Sequence, residues 1–473
     1  MNDSNKAVAK DSVDTSIEQE LYQKRKKIYP RQVHGLFAAL RVMGVSTLLG
    51  FYYIMPWLLW DGRQAILFDL PERKFYVLGL IFWPQDFIYL TMILVIAALS
   101  LFFFTALAGR LWCGYACPQT VWTEAFLWIE RKVEGTRSQQ MKLDKRATGS
   151  HKILKKSTKH FLWIAFSLFT GLTFVGYFTP IRDLVAAFSD FSFGPWETFW
   201  ILFYGFATYG NAGWLREQVC FYMCPYARFQ SAMFDKNTLV ISYDEHRGEP
   251  RGARKRGTSA AAKGLGSCID CSICVQVCPT GIDIRDGLQY QCIGCAACID
   301  ACDDVMDKMG YERGLIKYTT ENMMEGIHTD FMRPRIVLYA LILLSITVGT
   351  VVAMYNRSPI DLDIIRDRNS LFRETGMGMI ENVYTLKLIN KDILPHEYKL
   401  SVEGLPGLKL NINKNASLYA ESGAVIEVPV SVEIDPAKLG KRTSEVFFKL
   451  EATDADNLSI TQEARFLGPI PGR

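Results

Sequence analysis

Histidine is scarce in this chain, and the few histidines present exclude several kinds of cofactor site. The 473 residues include only six histidines, which are His34, His151, His160, His246, His328 and His396. No two of them have the spacing that holds a haem or a zinc ion. We therefore predict no haem in this chain. The sequence also lacks a glycine-rich phosphate loop that opens a helix after a strand, so we predict no flavin or nicotinamide site.

A strong charge imbalance and a cleavable signal peptide are absent as well. Lysine and arginine total 53 against 49 aspartates and glutamates, which gives a formal net charge of +4. The basic runs, such as Lys24 to Lys27, flank apolar segments, so we interpret them as membrane-topology anchors and predict no nucleic-acid partner. Residues 1–35 are polar and lack the apolar core of a signal peptide, so we expect the first membrane span to direct insertion.

Long apolar runs are abundant. Hydrophobic residues make up 49% of the chain and aromatic residues 13%. A span needs roughly 20 apolar residues to cross a hydrocarbon core about 30 Å thick. The segment 87–108 carries no charge on any face, which excludes a buried helix of a soluble enzyme, whereas Glu197 and several glycines dilute the fourth segment. We predict five transmembrane spans, at residues 42–60, 87–108, 161–179, 196–214 and 336–355.

The distribution of basic residues predicts the orientation of these spans, because loops rich in lysine and arginine stay on the cytoplasmic side. Residues 110–160 contain eleven lysines or arginines against four acidic residues, whereas the loop before the fourth span contains only Arg182. We therefore expect a protein of the bacterial inner membrane, with the lipid bilayer as its surroundings. The N-terminus and the 110–160 loop are expected in the cytoplasm, and the residues after Tyr355 in the periplasm.

Cysteine is plentiful, and eight of the twelve cysteines form two consecutive runs spaced C-x2-C-x2-C-x3-C. Two-cluster bacterial ferredoxins use this spacing, and the fourth cysteine of each run binds the other cluster. Two zinc sites or a disulfide framework are the alternative, but neither is typical of eight cysteines at such short intervals without histidine. We predict two [4Fe-4S] clusters, the first held by Cys268, Cys271, Cys274 and Cys302, and the second by Cys292, Cys295, Cys298 and Cys278.

The residues after the last span alternate between apolar and polar side chains and contain no cysteine. Runs at 383–388, 424–430 and 446–450 are separated by turn residues, which predicts six or seven short strands in an immunoglobulin-like sandwich. The predicted fold class is an α-helical membrane protein with five transmembrane helices, a cytoplasmic two-cluster ferredoxin insert and a C-terminal all-β sandwich. The predicted parts are a cytoplasmic N-terminal segment (1–35), a four-span core (36–235), a linker (236–266), the ferredoxin domain (267–305), a connector (306–335), the fifth helix (336–355) and a periplasmic immunoglobulin-like domain (360–473).

The remaining cysteines form two matched C-x3-C-P pairs, Cys113 with Cys117 and Cys220 with Cys224. Each pair follows an even-numbered predicted span, which indicates an internal duplication. An i, i+4 spacing places both thiols on one face of a helical turn, and the following proline allows the turn to end there. Three interpretations stay open: buried packing residues, a thiol–disulfide couple, and a soft metal site for Cu(I) that could include Met223.

With these parts in this order, the chain resembles the CcoG family, also called FixG or RdxA, along essentially its whole length. Its membrane core, two cluster motifs, further span and cysteine-free β tail carry the resemblance. The resemblance implies reduction of Cu(II) to Cu(I) for the haem–copper centre of cbb3-type cytochrome c oxidase. By position, the family's catalytic copper cysteines match Cys113, Cys117, Cys220 and Cys224. The implied partners are oxidase assembly factors and a copper transporter or chaperone, while the electron donor is unknown.

Two alternative functions follow from other features of the sequence. Arg41 and Asp86 lie in or beside predicted spans, where charge is costly, so each is a candidate neighbour of a quinone in a quinol-linked protein of the NapH type. The simpler interpretations are a snorkelling arginine and a helix cap. A non-catalytic assembly scaffold is the second alternative. It predicts that oxidase assembly survives mutation of Cys113 or Cys220 but not deletion of residues 360–473.

Overall fold

The computed structural model describes residues 27–257, 263–413, 416–455 and 458–469. Residues 24–26 of the predicted basic anchor therefore lie outside the described part. The chain divides into two compact units. The first comprises Met1–Phe51, Leu101–Gly171 and Ile201–Leu338, and the second comprises Tyr52–Ser100, Leu172–Trp200 and Tyr339–Arg473.

The α-helices within the described residues are α1 (Leu36–Ile54), α2 (Phe87–Ala108), α3 (Leu111–Tyr115), α4 (Pro118–Glu134), α5 (Arg137–Lys145), α6 (Ser150–Val175), α7 (Ile181–Ser189), α8 (Pro195–Thr208), α9 (Pro225–Met233), α10 (Glu245–Gly248), α11 (Ile273–Val277), α12 (Ala297–Met309), α13 (Glu321–Met324) and α14 (Pro334–Tyr355). Two π-helices, Tyr209–Leu215 and Val219–Met223, lie between α8 and α9.

The strands are β1 (Leu59–Trp60), β2 (Arg63–Gln64), β3 (Ile66–Asp69), β4 (Lys74–Val77), β5 (Leu80–Phe82), β6 (Val240–Tyr243), β7 (Ile316–Thr319), β8 (Ile360–Arg366), β9 (Arg373–Glu374), β10 (Ile380–Asn390), β11 (His396–Glu403), β12 (Lys409–Ile412), β13 (Tyr419–Ala420), β14 (Val425–Ile434), β15 (Thr443–Ala452) and β16 (Ser459–Leu467).

Within the described residues, four helices are long and apolar enough to cross a membrane. They are Leu36–Trp57, Pro84–Ala108, Ser150–Val175 and Pro334–Tyr355. The predicted second span has the bounds of α2, whereas the first and third helices begin well before the predicted spans. The predicted fourth span is α8 followed directly by a π-helix, and it is not one of the four. The count of five spans therefore stays a prediction.

The early start of α6 has an electrostatic cause. Hydropathy detects only the apolar part of α6. The helix begins earlier, in a basic segment whose lysines form ion pairs with glutamates of α4. Lys159 lies 2.8 Å from Glu134, and both side chains are buried. Arg216, at the turn between the π-helices, lies 2.8 Å from buried Glu130. Removing one partner of such a pair leaves a buried charge uncompensated, so these contacts fix α4 and α6 relative to the π-helical turn.

The tail in the second unit is a two-sheet β-sandwich, as its alternating pattern predicted. Its described residues form nine strands, more than the six or seven predicted, because β9 and β13 are only two residues long and carry no alternating pattern. One sheet has the order β12-β14-β10-β8, with β9 beside β10, and the other has the order β13-β11-β15-β16. Alternate residues of β10 and β15 point into a core that contains Tyr384, Leu386 and Phe448. The Tyr384 hydroxyl donates a hydrogen bond of 3.0 Å to the carbonyl of Arg465, so even the polar atom of this buried ring is satisfied.

A small sheet of the second unit, β3-β4-β5, was missed by the sequence analysis. It packs against the tail through a cluster of Ile81, Trp83 and Ile389. Next to this cluster, Asp86 accepts a hydrogen bond of 3.0 Å from the backbone N–H of Trp83 and one of 2.5 Å from Arg357. Asp86 is therefore a helix cap and an ion-pair partner, which is the simpler of its two interpretations.

The ferredoxin insert belongs to the first unit and extends beyond residues 267–305. Strand β6, within the predicted linker, pairs with β7, within the predicted connector. Ile241 of β6 and Ile316 of β7 are buried with Ile299 and Met306 of α12 in one core. The sequence missed this strand pair because two four-residue strands separated by some 70 residues carry little periodic signal.

Neighbouring phenylalanines of β15 test the sandwich core. Phe448 is fully buried, whereas Phe447 is 37% exposed. We expect Phe448→Ala to lower the free energy of unfolding of the tail by about 3–5 kcal/mol, because it leaves a cavity. Phe447→Ala should change it by about 0.5 kcal/mol or less. Hydrogen exchange of the β15 amides in the full chain measures both values, and equal effects would contradict the assigned register.

Candidate redox site

The two cysteine runs of the insert line two adjacent cavities. In each cavity the remaining lining side chains are mostly aliphatic, including Ile273 in one and Ile284 in the other. One cavity is lined by Cys268, Cys271, Cys274 and Cys302. The other is lined by Cys278, Cys292, Cys295 and Cys298, and Cys274 lines this cavity as well. The structure thus brings together the two sets that were predicted, including the exchange of the fourth cysteine.

Local backbone geometry explains why the thiols converge. Asp270, Ser272 and Ala296 have positive φ angles of 52°, 52° and 57°, and Gly294 has a φ of 68°. Such angles are uncommon for residues other than glycine and occur where the surrounding structure requires them. Here they fold each C-x2-C-x2-C segment tightly around its cavity. Helices α11 and α12 follow these segments and pack together, which carries the fourth cysteine of each run to the other cavity.

The donor set fits iron–sulfur clusters. Each cavity offers four thiols in apolar surroundings, and no histidine lines either one. Burial raises the pKa of Cys295 to about 12, and burial with the neighbouring Cys274 raises that of Cys302 to about 12. Bound cations reverse this effect, because a metal-coordinating thiol is deprotonated outright. The eight thiols are therefore positioned to be ligands and not free nucleophiles.

The two C-x3-C-P pairs share one local geometry. Cys113 lies in α3, and Cys117 has extended backbone at the N-cap of α4, with Pro118 as the first helical residue. Cys220 lies in a π-helix, and Cys224 occupies the N-cap of α9 in the same way. The proline therefore does more than allow the first turn to end. It also begins the next helix, where its missing N–H costs nothing.

Electrostatic interactions connect the four cysteines of the two pairs. Cys113 interacts with Cys117 and Cys220, and Cys220 also with Cys224. Burial, followed by the nearby Cys117, raises the pKa of both Cys113 and Cys220 to about 12. Burial raises the pKa of Cys117 too, although backbone N–H groups of α4 oppose this by donating to its sulfur. Two pairs distant in sequence thus form one site.

A buried polar side chain adjoins the C-x3-C-P thiols. Cys113 Sγ has a polar neighbour, Gln230 Oε1, at 3.6 Å. The Gln230 side chain is fully buried, and its Nε2 has no hydrogen-bond partner in the described part of the chain.

The C-x3-C turn of α3 touches the second cysteine run directly. A Cβ atom at Gly114 would lie 2.7 Å from the Gly294 carbonyl oxygen and 3.0 Å from the Cα of Cys295. Only glycine therefore permits this approach of two backbones. The buried Arg110 side chain crosses the same contact. Its guanidinium donates to the carbonyls of Cys292 and Ala227, each at 3.0 Å, and to that of Tyr290.

Helix α1 contacts the insert at its first turns. Arg41 donates a hydrogen bond of 2.7 Å to the Cys295 carbonyl, so it does not snorkel to water. Asp300 of α12 accepts a hydrogen bond of 2.7 Å from the backbone N–H of Ala38. The sequence analysis identified Arg41 as a candidate because a charged side chain costs free energy within an apolar span. It gave no signal for Arg110, Gly114 or Gln230, whose roles depend on contacts distant in sequence.

Three family models match parts of the chain. A 4Fe-4S binding domain matches residues 90–135, which include Cys113 and Cys117. A 4Fe-4S dicluster domain matches residues 215–321, which include the other ten cysteines. An IG-like fold at the C-terminal of FixG matches residues 350–469. The matches support iron–sulfur binding and an immunoglobulin-like tail.

Relatives of similar length match most of the chain. Nitrogen fixation protein FixG of Rhizobium meliloti is 38% identical over 84% of this chain and 83% of its own length. Protein RdxA of Cereibacter sphaeroides is 40% identical over 84% of this chain and 87% of its own, and Protein RdxB is 40% identical over 87% and 88%. A crystal structure of a FixG-related protein from Vibrio parahaemolyticus is 36% identical, covering 24% of this chain and 97% of that one, with a TM-score of 0.21.

The cavity lining predicts which cysteines share a cluster. Cys278 and Cys292 line the same cavity, so the double variant Cys278→Ala with Cys292→Ala should lose one cluster, or about four irons, and keep the other. Cys278 and Cys271 line different cavities, so Cys278→Ala with Cys271→Ala should lose both. Iron content and electron paramagnetic resonance of the reduced protein measure the outcome. The reverse pattern would contradict the exchange of the fourth cysteine.

Proposed function

Since the chain belongs to the FixG and RdxA family, we propose that it reduces Cu(II) to Cu(I) for assembly of the haem–copper centre of cbb3-type cytochrome c oxidase. The chain is a membrane-associated iron–sulfur protein, and we propose that Cu(II) is its electron acceptor. One observation carries the assignment: the turn that holds Cys113 lies in backbone contact with the segment that holds Cys292 and Cys295. Two groups of thiols with different surroundings are thus close enough for electron transfer.

The chain's own residues would hold the clusters and the copper at separate places. Iron–sulfur clusters, held by the eight cysteines of the insert, supply single electrons when bound. Cys113, Cys117, Cys220 and Cys224 bind the copper substrate, which takes up one electron as Cu²⁺ becomes Cu⁺. Thiolate is a soft ligand and favours the cuprous product. The raised pKa values of Cys113 and Cys220 mean that copper binding releases protons, and Arg110 and Gly114 keep the two sites in contact.

The proposed setting follows from the charge pattern of the loops. The chain lies in the bacterial inner membrane, with its N-terminus and insert in the cytoplasm and its tail in the periplasm. Copper is exchanged with a transporter or chaperone, and the tail docks on an oxidase assembly factor. The exposed and cysteine-free tail strands offer a binding surface but no redox chemistry.

An anaerobic assay of the purified, cluster-containing protein tests the proposal. After reduction with dithionite and removal of the excess, Cu(II) is added, and Cu(I) is followed with a chromogenic chelator alongside the iron–sulfur absorbance. We expect Cu(I) to appear together with cluster oxidation. Changing Cys113, Cys117, Cys220 and Cys224 to Ala should slow both by more than about tenfold, which corresponds to about 1.4 kcal/mol in the barrier.

Two controls make the assay decisive. Iron content must be equal in the wild type and the quadruple variant, so that any loss reflects the membrane cysteines alone. Met223→Leu changes an exposed residue inside the second pair and should leave the rate unchanged if the thioether is not a ligand. Equal rates in the quadruple variant and the wild type, or no reduction by either, would refute the proposal and favour a scaffold.

A further inference from the structure

A cavity of about 360 Å³ lies within the first unit, on the side of the cysteine sites that faces α1 and α4. Its size falls in the range of small-molecule sites. Its walls come from the segment before α1, the first turns of α1, the inner face of α4, the turn that holds Cys220 and the second cysteine run. Cys220 and Cys295 line it, so it adjoins both cysteine sites, but most of its lining belongs to neither of them.

The lining of this cavity combines two kinds of surface. Val42, Leu127 and Ile293 form apolar walls, and Trp128 adds an aromatic ring at the opening. Arg41 and Arg131 bring guanidinium groups to the same space. Apolar walls with a few fixed donors are typical of sites for a flat organic ring that carries carbonyl oxygens.

The position of the cavity restricts the ligand further. Ala38, Arg41 and Val42 belong to Leu36–Trp57, one of the helices able to cross a membrane, so the cavity adjoins a candidate span. Cys295, whose carbonyl accepts the Arg41 hydrogen bond, lines the same part of the cavity. A ligand here would therefore contact the loop of the second cysteine set. A redox-active, lipid-soluble ring is the class of molecule that suits both neighbours.

We propose that this cavity binds the head group of a membrane quinone and that the quinol is the electron donor. The inference rests on the proposed function, because it supplies the electrons that the function requires. Arg41 and Arg131 donate hydrogen bonds to the quinone oxygens, and Leu127 and Trp128 pack against the ring. Oxidation of one quinol releases two electrons and two protons. The electrons pass singly to acceptors of the iron–sulfur class at the two cysteine sets. Glu217, which lines the cavity, passes the two protons in turn to water, whereas Glu124 stays paired with Arg131 at 2.7 Å.

Photolabelling of the cluster-containing full chain in detergent micelles tests the binding site without relying on activity. An azido-substituted ubiquinone analogue should label the peptide that spans residues 119–131, and decylubiquinone should compete for this labelling. Leu127→Trp fills the cavity with a larger side chain and should weaken decylubiquinone binding by about tenfold or more. Arg131→Gln should weaken it as well, whereas the neighbouring Lys132→Gln lies outside the lining and should not.

The following outcomes would overturn the inference. Labelling elsewhere, no labelling, or equal affinity of the Arg131→Gln and Lys132→Gln variants would place no quinone in the cavity. Displacement of the label by phosphatidylglycerol as readily as by decylubiquinone would make it a site for an anionic lipid head group. The proposed function is tested separately, because dithionite replaces the donor in the copper assay. If the protein reduces Cu(II) with electrons from dithionite but binds no decylubiquinone, the proposed function stands and the quinone site is refuted.

Discussion

Two arginines that donate to backbone carbonyls hold the cysteine insert against the helices of the first unit. Arg110 follows α2 and donates to the Cys292 carbonyl, while Arg41 of α1 donates to the Cys295 carbonyl. Removing a guanidinium from water costs several kcal/mol unless its N–H groups find acceptors. Arg110 meets this requirement with three carbonyls, which come from α9 and from the second cysteine run. The arrangement of thiols, cavity and helix ends depends on these contacts.

The two kinds of cysteine site differ in their local backbone. The thiols of the insert line cavities with apolar walls, in loops whose backbone is fixed by residues with positive φ. Such surroundings suit a group that is inserted once and retained. In the C-x3-C-P pairs, the first thiol lies within a short helical segment, and the second lies at the N-cap of the helix that follows.

Sequence patterns predicted the parts of this molecule that depend on local spacing. The cysteine sets, the bounds of α2 and the main tail strands follow from periodicities of two to four residues or from uninterrupted apolar runs. Contacts between segments that are distant in the sequence could not be predicted from such patterns. The pairing of β6 with β7, the packing of Ile81 against Ile389, and the extension of α6 by ion pairs all depend on partners far along the chain. Arg41 was visible as a charge in an apolar run, but its acceptor was not.

The close approach of Gly114 to Gly294 makes the two halves of the repeat unequal. At the position that corresponds to Gly114, the second C-x3-C-P pair has Phe221, whose ring lies edge-on to Tyr290 with centroids 6.4 Å apart. A side chain of that size at position 114 would push the turn away from the cysteine loop. Only the first pair can therefore meet the cysteine loop backbone to backbone, whereas the second meets the residues beside that loop through a side chain. A single hydrogen atom in place of a side chain makes this difference.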